Sequence, residues 1–168
     1  MRASRDRPAR RVRFLITVPF LETTMLAFRM TIHRLPEAVC RGREIEVSGR
    51  RVVPLEATAE IGRAAFASSF EEVFARLAAL PRMFIEPDGS FVWVSDHAPL
   101  PWQVDGNLID AQGKLRYVEL KGTCPVEAWE QLLATLGWPD VRLAFQWVEQ
   151  GVFFDEPQLR RFAKIEPA

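Results

Sequence analysis

A chain of 168 residues, 48% hydrophobic and 26% charged, has the size and apolar content of one domain with a single core, and twelve Phe and five Trp can fill it without disulfides. Its 22 basic residues balance 22 acidic ones, which removes any global electrostatic argument for a nucleic-acid or membrane partner. Cys40 and Cys124 lie far apart, each without a second Cys nearby, so neither a zinc knuckle nor a redox pair is indicated. They are expected to be ordinary buried thiols in a reducing cytoplasm.

The chain begins with a basic arm over residues 1–13, in which Arg2, Arg5, Arg7, Arg10, Arg11 and Arg13 face only Asp6. With no apolar residues to bury, residues 1 to about 11 are expected to be flexible and to make few contacts, and residues 14–168 to form one globular domain. The apolar run Phe14–Leu21 imitates a targeting sequence, but Pro19 and Glu22 interrupt it. An over-extended reading frame with its true start at Met25 or Met30 explains the arm equally well. No stretch approaches the ~20 apolar residues that a membrane span needs.

Residues 24–34 alternate through Leu26, Phe28, Met30 and Ile32 and are expected to form a strand. Residues 43–55 read as a hairpin around Ser48-Gly49. Residues 57–80 form the main helical region, broken near Ser68-Ser69. Ser69 and Glu72 make a capping box there, ahead of the stripe Phe70, Val73, Phe74, Leu77 and Leu80. Turns follow at Asp88-Gly89, Gln112-Gly113 and Gln150-Gly151, each with Gly in the left-handed position. Between the last two, a crossover helix over 125–136 starts at Pro125, buries Trp129, Leu132, Leu133 and Leu136, and is capped by Gly137. The strands before and after it would be parallel if they share a sheet. Asp155 caps a short C-terminal helix. The expected fold class is therefore α+β, a mostly antiparallel sheet of hairpins with these helices.

The hairpin around Gln112-Gly113 carries the side chains of most chemical interest. With a three-residue loop, Ala111-Gln112-Gly113, Asp105 lies directly opposite Glu119, and Gln103, Asp105, Asn107, Tyr117, Glu119 and Lys121 share one face. Two opposed carboxylates repel, and a divalent cation or the nearby Lys would relieve them. Mg²⁺ favours one or two carboxylates with water and phosphate. Lys121 would then orient a metal-bound water or stabilise charge on phosphate.

Val104-Asp105 on one strand and Glu119-Leu-Lys121 on the next resemble the PD-(D/E)XK nuclease motif, with Val104 in place of the motif's proline. The order from residue 69 to 148, read as helix, strand, strand, strand, helix, strand, is similar to that family's core. The resemblance implies a metal-dependent phosphodiesterase acting on nucleic acid, with Asp105 and Glu119 holding Mg²⁺ or Mn²⁺ and Lys121 catalytic. It also implies a role for Gln131, which matches a helical Gln of one recombination-nuclease branch.

The same face fits the wet side of a half-exposed sheet, and a non-catalytic domain that binds a protein or a small ligand is the competing expectation. Electropositive surface beside the cluster separates the two, since a nuclease needs it and a binding module does not. Asp96-His97 in a proline-rich loop, His33 on its strand, and an aromatic platform of Trp102, Trp138 and Trp147 are further candidates, each with a plain surface or core alternative.

Overall fold

The alternation of Leu26, Phe28, Met30 and Ile32 builds strand β1 (Met25–Arg34), in which these four side chains are at most 5% exposed while Met25, Ala27 and Arg29 face outward. The computed structural model describes residues 25–56, 59–95 and 101–163, so the basic arm, the Phe14–Leu21 run and Asp96-His97 lie outside the described residues. Ser48 and Gly49 both take positive φ, the geometry of a two-residue turn, and join β2 (Ile45–Val47) to β3 (Arg50–Val52).

The helical region resolves into a single turn, α1 (Ala59–Arg63), and α2 (Phe70–Ala78), on which both hydrogen bonds of the Ser69–Glu72 capping box form. Strands β4 (Met83–Ile85), β5 (Ser90–Val94), β6 (Gln103–Ala111) and β7 (Lys114–Pro125) follow before α3 (Val126–Thr135). Four strands, not three, thus separate the two helices, and Pro125 is the last residue of β7 and the N-cap of α3 rather than its first helical residue. The chain continues through β8 (Leu143–Trp147), β9 (Val152–Asp155) and α4 (Glu156–Ala163), where Asp155 Oδ1 accepts from the Gln158 backbone N–H. Gly89, Gly113 and Gly151 all take positive φ in hairpin turns, as their positions require.

Seven strands form one sheet in the order β4-β5-β6-β7-β1-β8-β9, antiparallel at every junction, and β2–β3 forms a second. The fold is thus α+β, as the sequence implies. Because β1 is antiparallel to both β7 and β8, those two strands run parallel with β1 between them.

The two faces of the large sheet have different fates. One carries Phe28, Met30, Val104, Leu108, Val118, Leu120 and Phe145, and it is covered by Val73 and Leu77 of α2, Trp129 and Leu132 of α3, and Leu159 and Phe162 of α4. On the other, Ile61 of α1 packs with Leu35, Leu55, Ala144 and Phe153 over one end. The middle of this second face is where the polar side chains of β1, β6 and β7 stand. Trp102, Trp138 and Trp147 pack against the main core, with Trp102 edge-on to Trp93 at 4.9 Å and Trp147 edge-on to Phe162 at 5.2 Å. They do not form a shared platform.

Candidate functional site

The tip of the β6–β7 hairpin decides where the polar residues meet. Gln112 and Gly113 both adopt left-handed φ, 56° and 72°, so the loop has two residues and Ala111 pairs with Lys114. The pairing then slips once more: Asp110 faces Leu115 but Ile109 faces Tyr117, leaving Arg116 as the extra residue of a β-bulge. Arg116 uses that position to donate to the Arg63 carbonyl at the end of α1.

Each event displaces β7 by one residue, so Asp105 is opposite Lys121 and Asn107 is opposite Glu119. The expected Asp105–Glu119 pair is therefore corrected to a diagonal one. The even displacement leaves all four on the expected face, because side chains alternate with period two. β1 extends the face with Arg29 beside Lys121 and Thr31 beside Glu119.

These residues line a depression of about 340 Å³, floored by the sheet and bounded at one side by Val148. Asp105 accepts a 2.6 Å hydrogen bond from Gln103 Nε2. Among the described residues, no ion pair joins Lys121 or Arg29 to either carboxylate. Glu119 and Lys121 are exposed, whereas Asn107 is half-buried and its Oδ1 is shut off from solvent without a donor. A buried acceptor left unpaired costs about 1–3 kcal/mol.

The register also weakens the electrostatic motive for a metal. Asp105 has a cation across from it and Glu119 a neutral amide, so no two carboxylates are directly opposed. Among the described residues, no three His, Cys, Asp or Glu side chains group closely enough to hold an ion. Gln131 is not part of this site. It is exposed on α3, whose Trp129 packs on Phe28 and Phe145 on the opposite face, and the sheet stands between it and Asp105.

Comparison with known protein families, curated proteins and solved structures finds no match. The site must therefore be read from its own chemistry.

His33 lies on the same face, towards the end that α1 covers. It is 7% exposed, stacked on Tyr117 and edge-on to Phe153. Thr31 Oγ1 donates to Gln146 Oε1 at 3.1 Å and so receives the His33 Nε2 proton at 2.7 Å, which leaves Nδ1 as a buried acceptor without a partner. No carboxylate touches the ring, and burial pushes its pKa from 6.5 down to about 4. The folded value lies below the unfolded one, so between pH 6.5 and 4 the unfolded chain binds more protons. His33 should therefore cost about 3 kcal/mol of stability across that interval as pH falls, and nothing further below it. Urea unfolding at pH 7 and pH 4 measures this. His33→Gln should lose that part of the slope, and a variant with the wild-type slope would show that the imidazole is not what titrates.

Proposed function

We propose that this domain is a binding module whose ligand, a small zwitterionic molecule, seats in the depression on the sheet's second face. The observation that carries the reading is the wall itself, in which two cations, Arg29 and Lys121, stand beside two carboxylates, Asp105 and Glu119, with no ion pair between them among the described residues. A ligand amine would be held by Asp105 and Glu119, and a carboxylate on the same ligand by Arg29 and Lys121. The balance of charge on this wall provides no field to gather a polyanion, which separates the reading from nucleic-acid chemistry.

The test is a titration of the isotope-labelled protein with free amino acids and dipeptides, followed by NMR. Shifts are expected at the amides of Arg29, Asn107 and Lys121. Asp105→Asn with Glu119→Gln should remove them, because the ligand's amine then loses both carboxylates. Titrations that leave those amides unmoved overturn the proposal.

A second reading keeps one specific observation: Asp105 and Glu119 line one depression and could offer carboxylate oxygens to Mg²⁺ or Mn²⁺, with Lys121 beside them to stabilise charge on a phosphodiester. On that reading the protein binds Mn²⁺ in a calorimeter and cleaves nucleic acid when Mn²⁺ is present, and Asp105→Ala abolishes both with the melting temperature unchanged or raised. Absence of any Mn²⁺ heat from the wild-type protein eliminates it.

A further inference from the structure

We infer that the cleft between β3 and α4 is a second, independent site, built to take a small organic phosphate. Its walls are Arg41, Arg50, Arg51 and Arg161, with Gln158 and an apolar patch of Val52, Val53 and Phe162, and among the described residues no acidic one lines it. Its volume, about 430 Å³, is that of a small-ligand cleft.

The arginines are unevenly committed. Arg41 is held at 2.6 Å by Asp155, which also caps α4. Arg50 donates to the Phe162 carbonyl and lies 5.8 Å from the centroid of the Phe162 ring, so its position is fixed while its charge, among the described residues, has no carboxylate. Arg51 reaches Glu44 only at 3.8 Å with its side chain 82% exposed. Arg161 is exposed and, among the described residues, has no ion-pair partner. The adjacent Arg160 shows the contrast, being neutralised by Glu130 and Glu156.

Two guanidinium groups without an ion-pair partner among the described residues, Arg50 and Arg161, and a third only loosely paired, Arg51, make the cleft attractive to an anion, and their planar donor pairs match phosphate oxygens. Gln158 donates from its Nε2 to the Val53 carbonyl, which fixes that wall of the cleft. The apolar patch gives the ligand's organic part a surface, which a bare phosphate ion would leave unused. The site shares no lining residue with the depression around Asn107, so neither proposal depends on the other.

The full chain should be titrated by calorimetry with phenyl phosphate, inorganic phosphate and benzoate. The expected order is phenyl phosphate tightest, inorganic phosphate weaker for want of the apolar contact, and benzoate weaker for want of a second negative charge. Arg51→Ala with Arg161→Ala should weaken phenyl phosphate about tenfold or more, and both positions are exposed enough for the variant to fold. Lys114→Ala, an exposed cation at the β6–β7 hairpin that lines neither site, should leave this binding unchanged. Phenyl phosphate binding that is undetectable at millimolar concentration, or unaltered in the double variant, or lost equally in Lys114→Ala, overturns the inference.

Discussion

Gly122→Ala is expected to cost about 4 kcal/mol, among the largest effects of any single methyl group added to this protein. Gly122 sits in β7 beside Lys121 with φ near +147°, a conformation that L side chains rarely adopt. A Cβ built there would come within 2.1 Å of the Gln103 carbonyl oxygen and 2.9 Å of Val104 Cα. Both atoms are backbone of the paired strand β6, so no rotamer change relieves the clash and the strands must separate. Gly113→Ala is the control. It also carries positive φ, +72°, but a methyl group added at this hairpin tip would meet nothing within 4 Å. Only the left-handed backbone preference is then lost, about 1 kcal/mol. Urea unfolding of the two variants separates steric exclusion from conformational preference. A Gly122→Ala protein within about 1 kcal/mol of wild type would mean that β6 and β7 do not approach as closely as described.

The same hairpin shows where sequence reasoning reaches and where it stops. Turn and cap chemistry is local, so Ser69 with Glu72, Asp155, Ser48-Gly49 and the glycines at 89, 113 and 151 could each be placed from a few neighbouring residues. Register is not local in that sense. Whether Ala111 belongs to the loop or to the ladder depends on Gln112 accepting a left-handed φ, and the bulge at Arg116 depends on a carbonyl at Arg63 contributed by another element. Neither leaves a pattern in the period-two alternation, so the face of Asp105, Glu119 and Lys121 was legible while their pairing was not.

Strand order was hidden for a related reason. The crossover through α3 implies that β7 and β8 run parallel, but nothing in residues 114–147 reveals that β1, from the start of the described chain, inserts between them. That insertion brings Arg29 and Thr31 to the site and places α3, with Gln131, behind the sheet. The arginine cleft was equally invisible, since Arg41 to Arg51 and Arg161 meet only because α4 packs over β3. The one available signal was a hairpin and a helix each carrying adjacent arginines, Arg50-Arg51 and Arg160-Arg161.

Trp129→Ala should lower stability by about 4 kcal/mol and the melting temperature by roughly 10 °C. Trp129 is fully buried, with its ring 5.2 Å from Phe28 and 5.8 Å from Phe145, so it ties α3 to β1 and β8 at once. Helix α3 has no side-chain N-cap and no basic residue in its last turn, which leaves its apolar face as the main source of its stability. Truncation at this position opens a cavity against rigid strand neighbours that can collapse only in part. Trp102→Ala provides the comparison, because that ring is half-buried at the edge of the core and meets Trp93 edge-on, and about 1–2 kcal/mol is expected. Since Phe28 immediately precedes Arg29, the Trp129 cavity should also perturb the Arg29 amide on the far side of the sheet, whereas Trp102→Ala should leave it in place. Urea unfolding and amide shifts of the two variants measure both effects. Equal costs for the two substitutions would show that α3 is not anchored through Trp129.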